Sequence, residues 1–177
     1  MQDSATEKIG LPLPTPPEKY INMLPKVSAY ACFYLRDQTN RPFQVRSCYT
    51  TRRWQFVGGN MDPGEDPWQT AVREAEEETG LTRFREIPQE LLMVQYRHPT
   101  PEWPQAKIGF VFDGGRLTDD ELEQIKLDPH EHECWSVFGW DQWREIMTPS
   151  GYETLCAVEA ARTGEGSRLL VRHGEER

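Results

Sequence analysis

Arg73, Glu74, Glu77 and Glu78 fall close together in a segment whose apolar residues recur at helical spacing. On a helix each residue advances about 100°, so with Arg73 at zero, Glu77 lies near about 40°, Glu74 near about 100° and Glu78 near about 140°. Trp68, Ala71, Val72, Ala75 and Thr79 form one apolar stripe at roughly 160° to 260° on the same wheel. The three carboxylates therefore share an arc beside the face that must be buried, while Glu76, at about 300°, points away. Crowded carboxylates repel one another, and either water or a cation relieves them. Oxygen ligands of this kind suit Mg²⁺ or Mn²⁺, which keep several waters and take further ligands from substrate phosphates. Arg73 precedes Glu77 by one turn and can pair with it. Gly58 and Gly59 let the preceding loop approach an ion closely, and Glu65 can reach back as an outer ligand. A Glu-rich helix in an acidic chain is ordinarily just a solvated face. The combination with Gly59, Glu65, Arg73, Gly80 and apolar residues at 75 and 81 is far more specific than the glutamates alone.

The elements that must position these groups can be read outward from the helix. Asp66 suits its N-cap, Pro67 its first turn and Gly80 the left-handed position after its end. Before it, Val27–Leu35, Phe43–Tyr49 and Trp54–Val57 read as strands, with a turn over 37–42. After it, Leu91–Arg97 and Lys107–Phe112 read as strands, the second ending at Gly114 and Gly115. Leu117–Ile125 reads as a short helix capped by Thr118, Cys134–Trp140 as a strand, and Asp141–Met147 and Ser150–Arg162 as helices. Residues 1–25 read as a tail, since Pro12, Pro14, Pro16 and Pro17 disfavour a helix there. Residues 163–177 read as a polar tail, which leaves one domain over 26–162. Strands with intervening helices and a hairpin predict an α/β domain, a mixed sheet covered by helices on both faces.

Bulk properties narrow the function. The chain has 177 residues and a formal net charge of -9, with no basic stripe to follow a nucleic-acid backbone. Acidity does not exclude a small phosphorylated substrate, because a divalent cation bridges two negative partners. Cys32, Cys48, Cys134 and Cys156 form no CxxC pair, so reduced thiols are expected rather than disulfides or structural zinc. The longest mostly apolar stretch, Val27–Leu35, is too short to span a bilayer, and no signal-peptide pattern opens the chain. No membrane association and a cytoplasmic location are the expectations.

The stretch Gly59–Leu81 resembles the Nudix box: G, five residues, E, seven residues, REU, one residue, EE, one residue, GU, with U apolar. Every fixed position is filled, Ala75 and Leu81 taking the apolar slots, and Trp54-Gln-Phe-Val-Gly-Gly59 resembles the usual lead-in. The resemblance implies the Nudix fold, an αβα sandwich, over about residues 26–160. It also implies a Mg²⁺- or Mn²⁺-dependent hydrolase that cuts a phosphoanhydride in a nucleoside-diphosphate-X or related diphosphate by water attack on phosphorus. Carried over position by position, Glu74, Glu77 and Glu78 would bind metal, with Gly59 and Glu65 beside them. Arg73 would orient them, and Arg73, Glu77 and Glu78 would act in catalysis.

The catalytic base in this family is a box glutamate or a carboxylate on a later loop. Here that loop is Asp128–Trp135, with Glu131 the first choice and Glu133 the second. His130 and His132 are candidates for phosphate contacts, although loop histidines are more often simply exposed. Substrate selection is expected from Tyr96, Arg97, His98 and Trp103, where rings can stack on a base and Arg97 can hold phosphate. Trp54 and Phe33 are further candidates, with the core as their ordinary place. The expected partner is a small nucleotide derivative, and by analogy with the family a homodimer. Two other classes compete. One is a nucleotide-sensing Nudix module, against which the complete box argues. The other is an isomerase like isopentenyl diphosphate isomerase, for which the cysteines stand in the wrong places.

Overall fold

The computed structural model describes residues 14–49, 53–101 and 103–173. In chain order it has α1 (Pro17–Met23), β1 (Val27–Asp37), β2 (Pro42–Ser47), β3 (Trp54–Gln55), β4 (Val57–Asn60), α2 (Pro67–Thr79) and a 3₁₀ turn at Arg83–Arg85. There follow β5 (Leu91–Arg97), β6 (Ala106–Leu117), α3 (Asp119–Gln124), β7 (His132–Val137), α4 (Trp140–Ile146), α5 (Pro149–Thr163) and β8 (Leu169–Arg172).

Strand order is β3-β2-β1-β6-β5-β8, with β4 also on β1 and β7 also on β2. Two pairings, β1 with β6 and β5 with β8, are parallel; the rest are antiparallel, so the sheet is mixed. Successive strand residues face opposite sides, and β1 divides the core accordingly. Ala31, Phe33 and Leu35 join Ala71 and Ala75 of α2, whereas Cys32 and Tyr34 join Trp143 of α4 and Leu155 and Val158 of α5. Helices thus cover both faces, as expected of the αβα sandwich.

One edge of β1 is shared between two partners. β4 pairs with Tyr30–Phe33, and β2 pairs with Leu35 and Arg36. Gly58 lies opposite Cys32 within the β4 pairing, and its amide donates to Glu78 of α2. The position admits only glycine: φ is +146°, and a Cβ would lie 2.3 Å from the Ala31 carbonyl oxygen and 2.4 Å from Cys32 Cα.

The structure corrects four expectations. Residues 17–23 form α1 instead of a tail, because Pro17 occupies the first helical turn, where its missing N–H costs nothing. The C-terminal stretch contains β8, parallel to β5, rather than a tail alone. β6 continues through Gly114 and Gly115 by way of a register shift opposite Tyr34 and Leu35, with Gly115 at φ 76°. β7 begins at His132, two residues before the expected start, and ends at Val137. Residues 1–13, 50–52, 102 and 174–177, which include Pro12, lie outside the described residues.

Candidate active site

The site starts from the capping of α2. Asp66 accepts a hydrogen bond from the Gln69 amide while the Gln69 side chain accepts from the Asp66 amide, and Gly80 closes the helix at φ 73°. With both ends fixed, the wheel positions become depths. Glu78 is buried at 3 % side-chain exposure, Glu74 sits at 15 % and Glu77 at 61 %.

Glu78 reaches the backbone of β4. The Gly58 N–H donates to Glu78 Oε2 at 2.7 Å, and His132 Nε2 lies 3.4 Å from Glu78 Oε1. Burial pushes the Glu78 carboxyl up to about 9, against the Gly58 hydrogen bond, with Glu74, Glu131 and Glu77 adding negative potential. Ligand atoms of Glu78, Glu131 and His132 all lie within 4.8 Å of one another. Gly59 makes room on the next position of β4. A Cβ there would stand 2.4–2.5 Å from the Glu74 carboxylate atoms, so the carboxylate lies directly over the glycine. Burial also pushes Glu74 up, despite its bond to Arg73.

Arg73 ties the outer carboxylates together. Its Nε and one terminal nitrogen donate to the two oxygens of Glu65 at 2.7 and 3.0 Å. The other terminal nitrogen donates to Glu74 Oε1 at 2.9 Å and Glu77 Oε2 at 3.0 Å. The expected Arg73–Glu77 pair is present, but the fork-like engagement of Glu65 is the closer one. Thr70 Oγ1 donates to the same Glu65 at 2.7 Å, so both Glu65 oxygens are occupied by protein donors. Arg73 and Thr70 together hold the Glu65 carboxyl down, at about 2. Glu65 thus stands behind Arg73 and aims it.

The later loop brings Glu131 to the cluster and leaves Glu133 outside it. Glu133 pairs with Arg46 Nε at 3.5 Å. Cys48 N–H donates to the Glu131 carbonyl at 2.9 Å, pinning the loop beside β2. His130 is exposed, as a loop histidine ordinarily is, but His132 is 3 % exposed. Burial pushes its imidazole pKa down, so it is held neutral. Its Nε2 is 3.2 Å from Gln55 Nε2, and its buried Nδ1 has no hydrogen-bond partner among the described residues. Sequence reasoning did not name His132 as a possible ligand. Its one available signal was that a strand beginning at 132 would carry it inside.

The expected substrate-binding residues separate. Arg97 and Trp103 come together around Tyr30: the Arg97 guanidinium lies 5.7 Å from the Tyr30 ring centre, and Lys107 Nζ lies 5.1 Å from Tyr30 and 4.6 Å from Trp103. Alternation on β5 turns Tyr96 to the other face, where its ring meets His98 at 5.0 Å and His98 stacks on His173 at 4.6 Å. Trp54 packs edge-on against Trp143 and Phe138, beneath Arg46. Phe33 is fully buried between Trp68, Phe84 and Phe112. A groove of about 580 Å³ borders Arg73 and Glu77 on the outer side of α2, and Glu78 does not line it.

The donor set fits a hard divalent cation. Carboxylates of Glu74, Glu78 and Glu131 lean on one another, a neutral histidine nitrogen adjoins them, and the Gly59 cradle holds one carboxylate in place.

Comparison with known proteins shows the family and the fold. Residues 25–157 match the profile of the NUDIX domain. An RNA pyrophosphohydrolase of Cereibacter sphaeroides is 29 % identical over 127 residues, 59 % of this chain and 72 % of that protein. One from Brucella ovis is 33 % identical over 106 residues, 48 % of this chain and 54 % of that protein, so the match spans about half of that relative's length. Among solved structures, the MutT protein from Methanosarcina mazei superposes with a TM-score of 0.62 at 21 % identity, covering 81 % of this chain and 98 % of that one. An Ap4A hydrolase from C. elegans does so with a TM-score of 0.58 at 19 % identity, covering 77 % and 98 %. These two likenesses show the fold. The family profile covers most of the chain and contains the helix, loop and carboxylates described above: the chain belongs to the NUDIX family of hydrolases.

Proposed function

We propose that this protein uses Mg²⁺ or Mn²⁺ to cleave a phosphoanhydride bond in a nucleotide-derived diphosphate, by attack of water on phosphorus. The observation that carries the reading is Glu78, buried against β4 with ligand atoms of Glu131 and His132 within 4.8 Å. A buried carboxyl facing other carboxylates costs stability unless a cation joins it. Glu74, Glu77, Glu78, Glu131 and His132 are the residues that would hold the cation, and Gly59 and Glu65 serve it indirectly, by the Glu74 cradle and the Arg73 clamp. A divalent ion held there would offset the negative charge of the substrate's phosphates and lower the pKa of water.

The chain's own residues do the rest. Gly58 N–H fixes the rotation of Glu78, and Arg73 fixes Glu74 and Glu77, so the ligands are arranged before substrate arrives. Glu131, on a loop pinned by Cys48, is the proton acceptor for the attacking water, while Glu133 pairs with Arg46. Arg97 and Trp103 contact the substrate beyond the scissile bond.

The test is product analysis on a panel of nucleoside triphosphates, nucleotide sugars, ADP-ribose, dinucleoside polyphosphates, a triphosphorylated RNA and isoprenoid diphosphates. Cleavage of one class, with solvent ¹⁸O entering a phosphate product, supports the reading. Binding without cleavage across the panel would replace it with a sensor, and conversion without anhydride cleavage with an isomerase.

A further inference from the structure

Arg97 and Lys107 are direct partners across the antiparallel β5–β6 pair, and Arg97 is also the parallel partner of Arg172 on β8. Like charges directly opposite in a sheet are destabilising. Arg172 is compensated by Glu153 at 2.6 Å. Arg97 and Lys107 have no carboxylate partner among the described residues, in a chain with 29 acidic and 20 basic residues. Both cations rest on the same Tyr30 ring.

The ring is fixed from several sides. Tyr30 OH donates to Gln95 Oε1 at 2.6 Å, and Gly109 lies flat beneath it, where a Cβ would be 2.1 Å from the ring. Trp103 covers the Lys107 ammonium from outside, its indole N–H 3.4 Å from Ser28 Oγ. Burial and Arg97 together push the Lys107 ammonium below its usual pKa. Packing alone would be served as well by an apolar side chain at 107. Two adjacent cations over one fixed ring, without a carboxylate partner among the described residues, instead suit an anion.

The position says whose anion it is. Cys32, two residues along β1 from Tyr30 on the same face, lies within electrostatic reach of both Arg97 and Glu78, and it pairs with Gly58, whose amide holds Glu78. We infer that Arg97 and Lys107 form a seat for a further phosphate group of the substrate, beyond the two joined by the scissile anhydride. The inference rests on the proposed hydrolysis and narrows its substrate class: the part of the substrate beyond the cut carries a phosphate in addition to the one the cut frees, as in a polyphosphate chain, and is not a sugar phosphate.

Two experiments separate this from the hydrolytic reading itself. In the first, inorganic tripolyphosphate is titrated calorimetrically into full-length protein without divalent cations, so that the carboxylate cluster repels the probe. Wild type binds it, Lys107→Gln and Arg97→Gln each weaken binding at least about tenfold, and Lys107→Arg retains it. Equal affinity in all four proteins, or no binding by wild type, overturns the seat whether or not the enzyme turns over. In the second, Lys107→Gln raises KM for a substrate with a further phosphate at least about tenfold, with kcat unchanged, and leaves a nucleotide sugar unaffected. An equal change for both substrates also overturns it. Circular dichroism spectra matching wild type confirm that the variants fold. Tripolyphosphate binding that depends on Lys107, in a protein that cleaves nothing, keeps the seat and rejects the hydrolase.

Discussion

Arg73 divides one guanidinium among Glu65, Glu74 and Glu77, and its pair with Glu65 sets the aim of the other contacts. The Glu65 carboxyl is held at about 2, mainly by Arg73 and then by Thr70, below its ordinary value of 4.5. A depressed carboxyl contributes stability above the unfolded value, and that contribution is lost as pH falls from about 4.5 towards about 2. Glu65→Gln should therefore flatten the acid limb of stability in that window, read by denaturant titrations between pH 6 and 2, and leave the neutral side nearly parallel to wild type. An acid limb identical to wild type would remove Glu65 as the anchor of Arg73. At this scale much was legible. The wheel angles of Glu78, Glu74 and Glu77, stepping away from the apolar stripe, match their order of burial. His132 was legible as a candidate for phosphate contact but not as a buried neighbour of Glu78. Its burial depends on β7 beginning at 132, and the sequence before Cys134 reads as a polar loop.

At the scale of elements, the β4–α2 junction is built by two adjacent glycines with different jobs. A Cβ on Gly58 would meet the backbone of β1, whereas one on Gly59 would meet only the flexible end of Glu74. Gly59→Ala should thus keep the fold within about 1 kcal/mol yet lower activity at least about tenfold, because Glu74 is pushed off its position. Gly58→Ala should cost more than about 2 kcal/mol, from the left-handed φ and the backbone clash together. Thermal unfolding beside turnover separates the two; similar stability losses in both variants would contradict this division of roles. The α2 boundaries were readable because Asp66, Pro67 and Gly80 are strong local signals. α1 and β8 were missed because each is short and its stabilising context is not local. Four residues of β8 are ordered by pairing with β5, and α1 buries none of its side chains.

On the scale of the molecule, a chain of net charge -9 concentrates carboxylates around the buried Glu78. A cation bound only by the folded state stabilises it by about 2.7 kcal/mol at a hundredfold excess over its dissociation constant. Mg²⁺ or Mn²⁺ should accordingly raise the unfolding midpoint, and Glu78→Gln should blunt that rise while making the metal-free protein more stable. Calorimetry with and without chelator checks both; a midpoint indifferent to divalent ions would remove the cation from the account. The mixed sheet with helices on both faces followed from the order of elements alone, since helices alternating with strands must bury both faces. The division of one edge of β1 between β4 and β2 did not, because it is a matter of register between distant segments. No helix among the described residues is long and apolar enough to cross a membrane.

The most direct test of the central claim is turnover of a nucleotide-derived diphosphate by wild type and Glu78→Gln, each with excess Mg²⁺ and each chelated. The account predicts phosphoanhydride cleavage by metal-supplied wild type, reversible loss on chelation, and at least about a hundredfold loss in a folded Glu78→Gln. Full turnover by the chelated protein, or by Glu78→Gln, would contradict it.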